Sequence, residues 1–278
     1  ASESANSLTV NNLAVAGNFG GGIYMRDITA KGSPVLANIR VEGNRAVGGG
    51  GIYLNTASPQ LQNFNILGNT AVSNGGGMYS TAASAPELTS GYIAGHSAGA
   101  SGGGMYNASS DPELSLVSVR GNSAGNNGGG INNASGSVAV LRNSLVTGNK
   151  AASSGGGMYS NNGSRALIYS STFAGNNAAS GGALFVIQYN AGIEMYNSIV
   201  YGNSSGVVRG SGAAASVISS CIVQGGATAD GNAIDTDPGY MSDPGFAAAP
   251  FTGGGHRVRA RSLAADPGDQ KTHTPGAS

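Results

Sequence analysis

Charge is scarce in this chain. Its 278 residues include 13 basic and 13 acidic side chains, 9% of the sequence, balancing to zero. Without a basic field there is nothing to attract a phosphate backbone, so nucleic acid is not expected as a partner, and no polybasic patch is available for a membrane surface. No apolar run approaches the ~18 residues of a membrane-spanning helix, so no transmembrane segment is expected. No stretch carries the apolar stripe of an amphipathic helix. The 49 glycines follow no G-X-Y period, which excludes collagen. A single cysteine, Cys221, does not fix the redox compartment.

What the sequence does contain is one unit of about 26 residues written again and again, clearest from Ile52 to Gly77. Its anchor is a Gly-Asn pair at Gly17-Asn18, Gly43-Asn44, Gly68-Asn69, Gly121-Asn122, Gly148-Asn149, Gly175-Asn176 and Gly202-Asn203, with Gly95-His96 and Gly225-Gly226 as variants. Two residues before the anchor stand Val15, Val41, Ile66, Ile93, Val119, Val146, Phe173, Val200 and Val223. Seven before it stand Val10, Leu36, Leu61, Leu88, Leu114, Leu141, Ile168, Met195 and Ile218. Neither column has a polar member, and both are expected to form the core.

A period of this length points to a solenoid, a propeller or an array. The apolar residues alternate over short stretches bounded by Gly, Asn, Ser and Pro, which reads as strands and turns. A propeller blade needs about 40 residues, whereas this unit allows three short strands and three turns. The expected fold is therefore all-β: a single-stranded right-handed parallel β-helix of about nine coils over residues 1–225, with a loop-rich capping or joining segment over 226–278. The second segment differs in composition, holding ten of the charged residues together with Asp-Pro and Gly-Pro punctuation.

In a β-helix, equivalent residues stack at the inter-strand spacing of ~4.8 Å. Asn18, Asn44, Asn69, Asn122, Asn149, Asn176 and Asn203 are then expected to form an amide ladder, with each side chain donating to one neighbour and accepting from the other. A partial second ladder is expected five residues before the anchor, at Asn12, Asn38, Asn63, Asn143 and Asn197, with serines substituting and Leu116 interrupting. Each coil goes on into a Gly-rich turn and a strand whose alternation turns Tyr24, Tyr53, Tyr79, Tyr106, Tyr159 and Phe185 outward. That aromatic column, broken at Asn132, is a stabilising stack or a binding stripe for sugars or for another copy. No helix precedes the first coil, so that end of the rod is expected to be bare and to invite stacking.

Catalytic chemistry has weak candidates. Glu87 and Glu113 share one register position on adjacent coils, with Asp111 two residues before the second, and stacking sets such carboxylates ~5 Å apart, a separation compatible with a retaining glycosidase. The competing account is a solvated pair. No cofactor is called for. Asp230, Asp235, Asp237 and Asp243 offer oxygen ligands suited to calcium, although their spacing matches no calcium loop and Asp-Pro turns explain two of them equally well. Cys221 falls in a mostly apolar or serine column and is expected to be a buried thiol. His96 replaces a ladder asparagine, and with His256 and His273 in the tail no metal cluster or triad assembles.

The recurring G-G-G-[IM]-Y followed by S-x-P-x-L-x-N-x-x-I-x-G-N resembles the right-handed parallel β-helix repeats of bacterial surface proteins. It is similar to the GGA[ILV] and FxxN repeats of the polymorphic outer-membrane protein family. The stretches YNSIVYGNSSGVV, SSCIVQGG, IDTDPGYMSDPGF and RSLAADPGD resemble the end of repeat domains in choice-of-anchor surface proteins, without their closing D-I-G-A-Y-E-like stretch. The resemblance implies a secreted or surface-displayed protein of adhesin type. It also implies the pectin-lyase-like fold, which does not of itself confer activity.

Two functional expectations follow. One is a non-catalytic extracellular structural or adhesive solenoid, self-associating end to end into a fibre or displayed on a cell surface. The other is a carbohydrate-binding or polysaccharide-cleaving β-helix, with surface glycans or other surface proteins as partners.

Overall fold

Short alternating apolar stretches between glycine and asparagine corners leave no segment long enough to form a helix, and the described residues contain strands alone. The structure, a computed structural model, describes residues 9–28, 34–214 and 216–224, with the backbone of Ala233–Ile234. Every strand pairing is parallel, and successive coils wind through three sheets of sixteen, eight and five strands. Together they make a right-handed β-helix of eight turns with the first two strands of a ninth, Val217–Ser219 and Cys221–Val223.

The third coil shows the path. Gln60–Leu67 lies in the largest sheet, Thr70–Ala71 in the five-stranded one, and Met78–Thr81 in the eight-stranded one. Both apolar columns stack without a slip: Leu61 pairs with Leu36 and Leu88, and Ile66 with Val41 and Ile93. Their middle members are fully buried and belong to one continuous core running down the rod.

The column five residues before the anchor is not an amide ladder. Asn12, Asn38, Asn63, Ser90, Leu116, Asn143, Ser170, Asn197 and Ser220 all take a left-handed backbone, with φ between 49 and 58°. They form the corner at which the largest sheet bends. Within this column only Asn63 bonds to its neighbour, donating from Nδ2 to Asn38 Oδ1. Asparagine tolerates this conformation because its short polar side chain can bond locally, and so it recurs here for a backbone reason.

The Gly-rich turn has a different requirement. A Cβ on Gly103 would lie 2.4 Å from Gly129 O and 2.6 Å from Ser123 O, so the neighbouring coil's backbone leaves no room for a side chain. Gly103→Ala is therefore expected to cost about 2–4 kcal/mol, since the neighbouring coil's backbone must move at two places. Leu116 is the opposite case, an exposed, bulky residue at φ 58°. Leu116→Asn is expected to gain about 1 kcal/mol by relieving left-handed strain. Urea denaturation of the two variants checks both signs.

Candidate functional site

The anchor asparagines form the expected ladder. Asn122 Nδ2 donates to Asn149 Oδ1 at 2.9 Å and to Ile93 O at 3.0 Å, while the Asn122 backbone N–H donates to the same Oδ1 at 3.0 Å. Asn149 repeats this on Asn176, and Asn176 on Asn203. Asn18 and Asn44 follow the pattern at the other end, the chain of bonds reaching Asn69. Where both neighbours are asparagines, as at Asn44, Asn149 and Asn176, the side-chain amide makes four hydrogen bonds, its full capacity.

His96 stands in this line as a partial substitute. Its Nδ1 accepts from the Asn69 N–H at 2.9 Å, so the proton lies on Nε2, which faces Ile66 O at 3.0 Å. These two contacts copy what an asparagine makes, but Asn69 Nδ2 loses its side-chain acceptor and keeps its bond to Val41 O. Burial pushes the His96 pKa from 6.5 down to about 4, against the pull of the Ile66 carbonyl, which would favour the cation.

The column that ends in Cys221 was read as apolar or serine and buried, but the hydrogen-bonded line its serines form was not foreseen. Ser144, Ser171 and Ser198 are buried four residues before their anchors, each hydroxyl donating to its own coil, to Arg142 O, Tyr169 O and Tyr196 O. Ser171 Oγ also accepts from the Ser144 N–H, and Ser198 Oγ from the Ser171 N–H. Cys221 continues the row with its thiol 3.1 Å from Ser219 O, and it is buried as expected. A third polar line, Asn107 and Asn133, faces inward from the eight-stranded sheet, Asn107 Nδ2 donating to Asn133 Oδ1 at 2.9 Å.

On the outside, the aromatic column is present in register from Tyr24 through Tyr53, Tyr79 and Tyr106, then across Asn132 to Tyr159 and Phe185. Tyr24 is 62% exposed, whereas the rest are half buried against one another. Ring centroids lie 5.4 Å apart for Tyr24 and Tyr53, 4.9 Å for Tyr53 and Tyr79, and 5.0 Å for Tyr79 and Tyr106, the last two pairs edge to face. Burial raises the pKa of the Tyr79, Tyr106 and Tyr159 phenols. The rings use their faces on each other, which favours a stabilising stack over an open platform.

Glu87 and Glu113 are register neighbours in the largest sheet, flanked by Gln60 and Val140. Gln60 Nε2 donates to Glu87 Oε2 at 3.0 Å, and Asp111 Oδ1 accepts from the Val138 N–H at 2.7 Å, which ties Asp111 to the start of the next coil. Glu113 and Asp111 are exposed on an open sheet face. Further along the same face Arg142 lies 4.6 Å over the Tyr169 ring, which stacks on Tyr196 at 5.6 Å. This row was missed, although reading six residues before each anchor would have found it. Asp230, Asp235, Asp237 and Asp243 lie outside the described residues, as do the first eight residues and the histidines of the tail. Among the described residues no cluster of three or more His, Cys, Asp or Glu is placed to hold a metal ion, and no helix is long and apolar enough to cross a membrane.

No protein family, curated protein or solved structure matches the chain. Its likeness to surface-protein repeats therefore stands on the motif residues alone.

The histidine joint yields a pH dependence. Its folded pKa is depressed, so its stabilisation is complete above the unfolded value of 6.5 and is lost as pH falls toward about 4. Relative to His96→Asn, the natural protein is expected to lose on the order of 3 kcal/mol between pH 7 and pH 4. Urea unfolding of both proteins at the two pH values measures the difference.

Proposed function

We propose that this chain is a non-catalytic, extracellular structural or adhesive β-solenoid that extends by coil-on-coil contact at its ends. The observation that supports this reading is the first coil. Val10, Leu13 and Val15 occupy core columns yet stay only half buried, where Leu36, Ile39 and Val41 one coil on are fully buried. Asn18 is exposed, and its side-chain oxygen accepts no hydrogen bond among the described residues. Phe19, in the same coil, is 91% exposed. At the other end of the ladder Asn203 Nδ2 keeps the usual bond to Phe173 O on the preceding coil and places its second on Tyr201 O of its own coil. Among the described residues the first coil thus presents acceptors, strand edges and core side chains that no other described coil covers, the features by which a strand is added to a sheet. Contact of one end with the other end of a neighbour, with an unclosed rotation, gives filaments. Surface display is suggested by the repeat motif, and glycans or other surface proteins are the partners proposed for an adhesin.

A second reading, a polysaccharide-binding or polysaccharide-cleaving protein, is favoured by the adjacent Glu87 and Glu113 and by the tyrosine column. It differs in a direct readout: cleavage or binding across a polysaccharide panel that Glu113→Gln abolishes. The solenoid reading expects no cleavage, and any glycan binding to be indifferent to Glu113→Gln.

Electron microscopy with light scattering over a concentration series tests the proposal. Filaments with an axial repeat of roughly 40 Å, eight coils at ~4.8 Å, are expected. Val15→Asp should suppress them. Monodisperse short rods at every concentration would overturn the end-to-end part of the proposal.

A further inference from the structure

The outer face of the largest sheet, ahead of its left-handed corner, has its charges sorted along the rod. Its outward positions lie ten, eight and six residues before each anchor glycine. In the fourth and fifth coils these positions hold Glu87, Asp111 and Glu113, and in the sixth and seventh they hold Arg142 and Arg165. The central column runs in register from Glu87 through Glu113 and Val140 to Leu167, so a half-exposed apolar strip continues from the acids toward the basic half. Glu194, in the eighth coil, is ion-paired to Arg165. A guanidinium carries five N–H donors, so that bond leaves donors on Arg165 for a second carboxylate.

We propose that this face pairs with the same face of a second copy of the chain, with the order of coils reversed. A two-fold axis parallel to the strands, placed between the fifth and sixth coils, brings the fifth coil opposite the partner copy's sixth and the fourth opposite its seventh. Glu113 then meets Val140 with Arg142 two residues along the strand, and Glu87 meets Leu167 with Arg165 alongside. Each contact occurs twice, as an isologous interface requires. The hollow of about 300 Å³ beside Arg165, lined also by Asn190, Ile193 and Val217, lies opposite the fourth coil and its neighbour, where Glu87 and Gln60 project.

Three physical features favour this occupant. Like charges at Glu87 and Glu113 on adjacent strands repel within one molecule, and opposing arginines relieve that repulsion. Arg142 is already laid on the Tyr169 ring and Arg165 held by Glu194, so less side-chain freedom is lost on association. Six coils at ~4.8 Å by five residues at ~3.3 Å give roughly 500 Å² per partner, near the lower size limit of specific interfaces. The contact is accordingly modest in affinity and weakened by salt. It involves sheet faces and is independent of the end-to-end reading.

The test is a charge exchange read by sedimentation velocity on the full chain. The natural protein is expected to dimerise at low salt and to dissociate as salt is raised. Glu87→Arg with Glu113→Arg, and separately Arg142→Glu with Arg165→Glu, should each weaken self-association at least tenfold, and mixing the two variants should restore it. Glu87→Gln with Glu113→Gln, which introduces no new charge, should weaken it to a lesser degree, and circular dichroism checks that all variants keep the fold. End-joined rods would ignore these changes and show no rescue on mixing. A natural protein that stays monomeric at every salt concentration, variants that associate as it does, or a mixture that fails to associate would each overturn the proposal.

Discussion

The buried side-chain amide of the anchor asparagine is the constraint from which the rest of the structure follows. Leaving a buried amide group unpaired costs about 1–3 kcal/mol, and stacking identical asparagines at the coil spacing satisfies all four of its hydrogen-bonding positions. The bond from each backbone N–H to the next Oδ1 joins main chain to side chain, so a coil cannot slip along its neighbour without breaking both. The apolar columns then align because the ladder and the core share one register. The glycine-rich turn is part of the same requirement: a Cβ on Gly104 would approach Asn122 Nδ2 at 3.0 Å and Gly130 O at 2.6 Å.

The interior is for this reason more polar than an ordinary core. Ladder asparagines, the serine row ending in Cys221 and the Asn107–Asn133 pair are all buried and are linked from coil to coil by hydrogen bonds, while the serine hydroxyls also donate within their own coil and Asn107 Oδ1 is left without a partner. His96 shows what the ladder demands of a replacement. It needs an acceptor toward the preceding N–H and a donor toward the preceding carbonyl, and a neutral imidazole supplies both. Protonation would set an N–H against the Asn69 N–H, so the joint is compatible with the neutral ring alone.

The fold was legible in the sequence because repetition turns weak local signals into columns. Nine apolar residues in a row at one register position exclude a chance pattern, and seven asparagines at the turn point to a ladder. Asparagine itself was the source of the misreading five residues before the anchor. The residue recurs both where its amide bonds along the stack and where its backbone adopts a left-handed corner, and composition does not separate the two. Leu116, which cannot join an amide ladder but was found at φ 58°, is the member that marks the column as a corner. The Arg142–Tyr169–Tyr196 row was less visible because its residue types change from coil to coil. Glu87 and Glu113 were correctly placed as neighbours, since register alone decides that, whereas what a solvated pair does is not written in its spacing.

Native-state hydrogen exchange tests the central claim most directly, because the anchor backbone amides donate to side chains. If the ladder binds the coils together, the N–H groups of Asn44, Asn122, Asn149 and Asn176 exchange as slowly as those of Val119 and Val146 in the core column, and Asn69, bonded to His96, loses protection first as the pH falls. Exchange of these anchor amides at the rate of exposed turns, with the core column still protected, would contradict the account and leave apolar stacking as what holds the rod together.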